Sequence, residues 1–376
     1  MEFPRQPLQG PEADVRYMRI ALALARRMLG ATAPNPAVGA IIVDEATGEV
    51  VARGWTEAGG RPHAETQAIK RAGERARGKT MYVTLEPCSH HGKTPPCADA
   101  VVAAGLARVV CAIDDPDARV SGRGIALLHA AGIELTLSVC ASEARWVAAG
   151  HITRVQAKRP LVTLKLAVSA DEMIARGTGS PTWVTQADAR ARAHLLRAQS
   201  DAILVGRQTV VDDDPELTCR LPGLEARSPR RFVLDSNLAL PAGRRLLQPG
   251  PGGPAVVFAA RDAALPPHLG EDQVRRVGRG PDGRLSLRQV LRVMADDGIT
   301  RLLVEGGPAT ARAFLDAGFV DEVVVFKGAR PLGPDGILPL VDRGLGELAE
   351  ASLWRMTDSR CIGADSVAIY RSRRHD

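Results

Sequence analysis

Apolar residues recur at helical spacing from Met18 through Leu22 and Ala25 to Leu29, and Gly30 ends the run. Asp14 reads as the N-cap of this helix, and residues 1 to 13 as a disordered lead. Val38 to Val43 is a continuous apolar run of strand length, with Val50 to Trp55 as its hairpin partner across Asp44–Gly48. Pro62 precedes a helix that runs to about Ala72. Thr80 to Leu85 reads as a strand, and Cys97 opens a helix to about Ala104. Val109 to Ile113 and Glu134 to Val139 are further strands, with a helix near Ile125 to Ala131 between them. Ala141 to Gly150 reads as a closing helix and His151 to Pro160 as a basic, irregular connector. That connector divides the chain into domains 1–155 and 156–376.

The second half restarts with strand Leu161 to Val168 and a polar stretch to Pro181. Helix Ala187 to Ala198, strand Ala202 to Val205, and strands Arg231 to Leu234 and Ala255 to Ala260 follow. Leu287 to Ala295 reads as a helix, Arg301 to Val304 as a strand, Ala309 to Ala317 as a helix, and Glu322 to Phe326 as the strand that closes the core. Alternating strands and helices in both halves predict an α/β layer fold with ligands at strand ends. Gly278-Arg279-Gly280-Pro281-Asp282-Gly283 spells G-x-G-x-x-G. The residues before it are few and charged, and the next helix starts near Ser286, so it reads as a surface loop.

A chain of 376 residues exceeds the usual size of one core, which agrees with two domains. Its 45% hydrophobic and 24% charged residues describe an ordinary globular protein, with aromatics scarce at 3%. The net charge of +6 suits a small phosphorylated substrate, and no long block of like charge marks a nucleic-acid surface. Nucleic-acid binding would want aromatics interleaved with a basic groove, which this composition does not offer. No apolar run reaches membrane-span length, and the N-terminus carries no apolar signal region. The six cysteines form no short-spaced disulfide framework, so a cytoplasmic, reducing location is expected.

Chemistry concentrates between His63-Ala64-Glu65 and Glu86-Pro87-Cys88, with a second cysteine at Cys97. One imidazole and two thiolates fill three positions of a tetrahedral zinc and leave the fourth open to water. Two thiolates cancel the metal's formal charge, so a base beside the water is needed, and Glu65 is placed to be it. This is the zinc nucleobase deaminase pattern, H-x-E followed by P-C-x-x-C, except that eight residues separate the cysteines instead of two. On an ideal helix His63 and Glu65 would point roughly 200° apart, so the pair works only at a helix start. Cys111, Cys140, Cys219 and Cys361 read as small core residues, and His90 and His91 as solvated loop residues.

Thr84-Leu85-Glu86-Pro87-Cys88-Ser89-His90-His91-Gly92-Lys93-Thr94-Pro95-Pro96-Cys97 closely resembles the bifunctional riboflavin-biosynthesis deaminase–reductase family. Pro34-Asn35-Pro36-Ala37-Val38-Gly39, Asp115-Pro116 and Gly122-Arg123-Gly124 add to the likeness. It continues through Leu164-Lys165-Leu166-Ala167, Leu196-Arg197-Ala198, Asp201-Ala202-Ile203, Asp213-Asp214-Pro215 and Glu305-Gly306-Gly307. The resemblance implies a cytidine-deaminase-like α/β/α domain followed by a dihydrofolate-reductase-like α/β domain. The first would deaminate a phosphorylated diaminopyrimidine, and the second would reduce its ribosyl group with NADPH. It implies one zinc on His63, Cys88 and Cys97, with Glu65 catalytic. It also implies cofactor contacts at Ala167, Trp183, Thr209, Asp213, Gly307, Pro308, Ala309, Thr310, Ala311 and Arg312. Substrate contacts would fall at Asn35, Lys165, Ser180, Pro181, Arg197, Leu217, Arg220 and Glu305. A homo-oligomer, dimer or tetramer, is expected, with no nucleic-acid or membrane partner.

On residue types alone, Glu305-Gly306-Gly307 is a strand-to-helix turn whose glycines admit a ligand and whose helix start offers N–H groups to phosphate. Arginines such as Arg197 and Arg220 suit a phosphate because their fork binds oxyanions bidentately. Ser89 to Pro96 is long enough to cover a phosphorylated pyrimidine. Two positions depart from the family. Glu172 stands where it usually has glycine, which makes a left-handed turn costlier. Pro181 replaces a substrate-contacting serine, so that contact shifts to Ser180 or is lost. A deaminase whose second domain only binds or assembles is therefore the alternative reading.

Overall fold

The structure, a computed structural model, describes residues 10–90, 95–117, 121–176, 183–334, 336–341 and 343–375. The chain divides into two compact units, Met1–Lys158 and Arg159–Asp376. The first contains α1 (Pro11–Arg27), β1 (Gly39–Asp44), β2 (Glu49–Trp55), α2 (Ala64–Ala72), β3 (Thr80–Val83) and α3 (Cys97–Ala103). It continues through β4 (Arg108–Cys111), α4 (Arg123–Ala130), β5 (Glu134–Leu137), α5 (Ala141–Val147) and α6 (Ala149–Ala157). The strands form one five-stranded sheet in the order β2-β1-β3-β4-β5. β1 runs antiparallel to β2 and β3, while β3, β4 and β5 are parallel. Ile41, Ile42, Met81 and Val109 are fully buried and share a core with Met18 and Leu22 of α1.

Two expectations for this unit are corrected. Residues 11 to 13 are helical, and Gly10 is the N-cap because Pro11, which has no N–H to satisfy, suits the first helical position. Asp14 instead lies in the first turn, buried, where Tyr82 Oη donates to it at 2.8 Å and Arg108 Nη2 at 2.8 Å. The stretch read as an irregular connector is mostly helix, since α6 runs to Ala157 before Lys158 turns left-handed.

The second unit contains β6 (Leu161–Val168), β7 (Ala175–Arg176), α7 (Ala187–Ala198), β8 (Ala202–Gly206), α8 (Arg207–Asp213), β9 (Arg230–Leu234), β10 (Val256–Ala260) and β11 (Val274–Val277). After these come α9 (Leu287–Asp296), β12 (Arg301–Val304), α10 (Pro308–Asp316), β13 (Glu322–Lys327), β14 (Gly336–Ile337), β15 (Trp354–Ile362) and β16 (Asp365–Ser372). Nine strands form one sheet in the order β11-β10-β9-β8-β12-β6-β13-β16-β15, and β14 pairs with β7 apart from it. The parallel strands β8, β12, β6 and β13 are buried and read as continuous apolar runs. β13 does not close the sheet, because the β15–β16 hairpin extends it. That hairpin escapes a pattern reading because β15 is mostly exposed and lacks clean alternation.

At Gly278–Gly283 the loop folds back on itself: Gly280 N–H donates to Arg284 O at 2.7 Å, and Arg279 bridges Leu285. The next helix opens at Leu287, beyond the last glycine. The preceding residues do form a strand, β11, although they are few and charged.

Glu172 adopts φ +64°, the left-handed conformation that glycine takes without cost. The turn is held by Asp171, which accepts Leu332 N–H at 2.9 Å and Gly333 N–H at 2.8 Å. Glu172 Oε1 also meets Lys327 Nζ at 3.2 Å, but both side chains are about two-fifths exposed, 42% and 41%. Such a pair contributes about 0–1 kcal/mol, against about 1–2 kcal/mol for a left-handed L-residue. Glu172→Gly is therefore expected to raise the thermal midpoint, by up to about 1 kcal/mol of stability. A lower midpoint in thermal denaturation would contradict this account of the turn.

Candidate functional site

His63 is the N-cap of α2, with extended backbone at φ −74° and ψ 160°. It stands outside the helical screw, so its ring and the Glu65 side chain can face one place. Gly54 on β2 makes this possible, since a Cβ there would lie 2.0 Å from Ala64 O. Cys88 follows β3 in a loop, and Cys97 is the first residue of α3. The loop ends are tied together: Cys97 N–H donates to Cys88 Sγ at 3.3 Å, and Ala98 N–H to Cys88 O at 3.1 Å.

The three donor atoms lie within 4.8 Å of one another. His63 Nδ1 is 3.3 Å from Cys97 Sγ and 3.7 Å from Cys88 Sγ. A tetrahedral zinc with bonds of about 2.0–2.3 Å needs N-to-S separations of roughly 3.6 Å. The donor set therefore fits zinc. The protons argue the same way. Hydrogen bonds from Cys97 and then His63 bring the Cys88 thiol down to about 4, while His63 is raised by its bond to Cys88. Cys97 is raised, first by its bond to Cys88 and then by burial. Glu65 is 4% exposed, and burial pushes its carboxyl up to about 7.

Residues 91 to 94, including His91, lie outside the described residues. His90 is half-buried and not fully solvated as expected: its Nδ1 is buried and, like Ser89 Oγ, has no hydrogen-bond partner among the described residues. The Asn35 amide donates to Gly60 O at 2.8 Å and so braces the turn that leads to His63. Cys111 and Cys219 are buried as expected and Cys140 is half-buried, but Cys361 is exposed because it sits on β15.

In the second unit Glu305 follows β12 with its side chain only 8% exposed, and Arg197 meets it in a fork: Nε to Oε1 and Nη2 to Oε2, both 2.9 Å. Lys165 Nζ lies 3.7 Å from Glu305 Oε2. Burial opposes the charge on Glu305, but Arg197 and Lys165 outweigh it and hold the carboxyl down to about 2. The third Arg197 nitrogen donates to Thr218 O at 3.1 Å. Three of the five Arg197 N–H groups are thus held within the protein, two of them by Glu305.

The glycine turn is also more particular than its sequence suggests. A Cβ on Gly306 would lie 2.6 Å from Thr310 Cβ, so that space belongs to the protein's own side chain. Gly307 N–H donates to Thr209 Oγ1 at 3.0 Å and is not available to a ligand. A Cβ on Gly307, however, would meet only Thr209 Oγ1 at 3.5 Å, which leaves this backbone open to close approach. Gly307 stands immediately ahead of Pro308, Ala309, Thr310 and Ala311, which open α10. Arg312 Nε is paired with Asp316 at 2.7 Å. Ala167 lies half-buried on β6, opposite Phe326 of β13. Asp213 is raised by burial and then by Asp212, and Leu217 is buried with φ +57°. Arg220 pairs with Glu216 at 3.3 Å. Trp183 is 72% exposed, with the Arg190 guanidinium 4.9 Å from its ring. Ser180 and Pro181 lie outside the described residues.

Sequence reasoning missed His194, one turn before Arg197 on α7. Its Nδ1 accepts Arg220 N–H at 3.2 Å, and burial followed by Arg197 and Arg220 lowers it to about 4. Spacing along α7 was the one available signal.

Comparison with known proteins covers both units. The RibD C-terminal domain family matches residues 160–366. The cytidine and deoxycytidylate deaminase zinc-binding region matches residues 11–113. The chain is 39% identical to the riboflavin biosynthesis protein RibD of Aquifex aeolicus, over 96% of this chain and 99% of that one. It is 40% identical to RibD of Escherichia coli, over 94% and 97%. Among solved structures, a diaminohydroxyphosphoribosylaminopyrimidine deaminase/5-amino-6-(5-phosphoribosylamino)uracil reductase from Thermotoga maritima superposes with a TM-score of 0.83 at 32% identity, covering 96% of this chain and 99% of that one. Acinetobacter baumannii RibD gives 0.84 at 31% identity, covering 96% and 99%. A cytidine-deaminase-like unit followed by a dihydrofolate-reductase-like one, both matched at full length, makes this chain a member of the RibD family of bifunctional riboflavin-biosynthesis deaminase–reductases.

Proposed function

We propose that the first unit deaminates 2,5-diamino-6-ribosylamino-4(3H)-pyrimidinone 5′-phosphate and the second reduces the ribosyl group of the product, giving 5-amino-6-ribitylamino-uracil 5′-phosphate. The observation that carries the first step is the convergence of His63, Cys88 and Cys97 beside the buried Glu65 carboxyl. Those three residues would hold zinc, which when bound supplies the Lewis acidity that lets water lose a proton near neutral pH. Glu65 takes that proton from the attacking water oxygen and returns it to the departing nitrogen, so ammonia leaves. A buried carboxyl beside the three metal-binding side chains is placed to do both.

For the second step, the turn at Gly307 and the start of α10 would hold NADPH, which when bound would supply the hydride. Lys165, beside the ionised Glu305, is the ammonium available to deliver the accompanying proton. Glu305 accepts hydrogen bonds from substrate hydroxyls, and Arg197 fixes its orientation through the fork. Glu172 adopts the left-handed conformation that a glycine there would allow, so this departure leaves the turn in place. Among the described residues no helix is long and apolar enough to cross a membrane, and we place the enzyme in the cytoplasm, where its thiols stay reduced.

Glu65→Gln is expected to retain zinc and to lose about 10²- to 10⁴-fold in ammonia release. Metal analysis beside an ammonia assay checks this, and loss of the metal would show Glu65 to be a ligand instead. Chelation of zinc is expected to stop ammonia release while NADPH oxidation with supplied deaminated pyrimidine continues. Loss of both activities would place zinc in the reductase or in general folding. Glu305→Gln leaves a buried guanidinium unpaired, and should cost about 3–5 kcal/mol and abolish NADPH oxidation. Because its folded pKa is depressed to about 2 from an ordinary 4.5, the stability Glu305 contributes is fully present above about 4.5. It is lost as pH falls from there through about 2. Acid unfolding of wild type and variant should converge across that window, and a constant gap would refute the ion-pair account.

A further inference from the structure

We propose that Glu86 is a positioning residue that fastens the Cys88 ligand loop to the start of α4 and thereby sets how firmly the first unit retains zinc. The inference rests on the reading that His63, Cys88 and Cys97 hold the metal.

Glu86 stands two residues before Cys88 and is 3% exposed. Its carboxylate is met by backbone. Asp115 N–H donates to Oε2 at 3.1 Å and Gly122 N–H at 3.0 Å, while Gly124 N–H donates to Oε1 at 2.9 Å and Ile125 N–H at 3.3 Å. Gly122 is the N-cap of α4 and has no side chain with which to cap it. Glu86 takes that place from another part of the chain, and its negative charge faces the positive end of the helix dipole.

The contact is close on the backbone side as well. A Cβ on Gly124 would lie 2.1 Å from Pro87 O and 3.2 Å from Glu86 Oε1. The start of α4 therefore sits directly on the residue between Glu86 and Cys88. Upstream, Glu86 N–H donates to Ile113 O at 2.9 Å, and downstream Cys88 O accepts Ala98 N–H at 3.1 Å. The Cys88 backbone is pinned from both directions. This also gives a role to the Asp115-Pro116 and Gly122-Arg123-Gly124 motifs: they supply the donors.

A buried carboxylate is costly unless hydrogen bonds compensate it, so a merely structural position would favour an uncharged residue. Here both oxygens face N–H donors. Glutamine matches the shape but turns an NH₂ toward one pair of them. Groups that orient metal ligands from outside the ligand set typically govern about 10- to 100-fold in metal affinity. The Asp115 side chain lies on the same segment but points elsewhere, to Asp117 N–H at 2.9 Å and His151 Nε2 at 3.2 Å.

The test uses the full, zinc-loaded chain and measures the rate of zinc transfer to a chelator, with NADPH oxidation on deaminated pyrimidine as a check that the second unit is intact. Glu86→Gln is expected to release zinc roughly 10- to 100-fold faster at an unchanged reductase rate. Gly124→Ala keeps the carboxylate but forces α4 off Pro87 O, and should also release zinc faster; it serves if Glu86→Gln does not fold. His151→Leu removes the partner of the Asp115 side chain but leaves all four backbone N–H donors to Glu86 in the chain, and should hold zinc as wild type does. Wild-type zinc retention in both Glu86→Gln and Gly124→Ala would overturn the inference, as would fast release from His151→Leu. A wild-type chain that takes up no zinc would overturn the metal reading along with it.

Discussion

Three electron-rich donors drawn from three separate elements converge within 4.8 Å in the first unit. Nothing in the hydrophobic effect brings an imidazole and two thiols together, and the protons they share show the conflict. The Cys88 thiol is brought down while that of Cys97 is raised, each because of the other. A divalent cation resolves that conflict at once. Much of the unit's local structure follows from this demand. α2 must begin at His63 so that the ring is free of the helical screw, and Gly54 must lack a side chain so that α2 can press on β2. Both ends of the cysteine loop must then be bound to one another.

The second unit solves a different problem, that of keeping a carboxylate charged inside a mostly apolar sheet. Glu305 emerges from the buried end of β12, where desolvation alone would neutralise it. The planar fork of Arg197 meets both carboxylate oxygens and Lys165 adds a second cation, which reverses the sign of the shift. A lysine at position 197 would supply charge without the two-point geometry, so orientation of Glu305 would be lost even where ionisation survived.

The metal set was legible because its residue types are rare together and their chemistry is narrow. Its eight-residue cysteine spacing was an obstacle only while spacing stood in for geometry; Cys97 N–H on Cys88 Sγ shows how the gap closes. For Arg197, residue type shows a capacity for oxyanions but not that Glu305 takes two of its N–H groups within the fold. The glycines of Glu305-Gly306-Gly307 were read as ligand space, whereas Thr310 fills the space at Gly306. Glu172 is the opposite case. Departure from an expected glycine suggested a strained left-handed turn, and the turn is there at φ +64°.

By itself the sequence determined the α/β alternation, most strand and helix positions, and the His-Glu-Cys-Cys chemistry, since periodicity and side-chain type are local properties. It could not determine which buried charges are spoken for. Asp14 with Arg108, Glu86 with the start of α4, and Glu305 with Arg197 are pairings between residues far apart in the chain. Each is chosen by desolvation, which makes an unpaired buried charge intolerable and so selects a partner only once the fold has closed around it. The β15–β16 hairpin belongs to the same class. Its strands are weakly patterned, and only pairing with β13 gives them a place in the sheet.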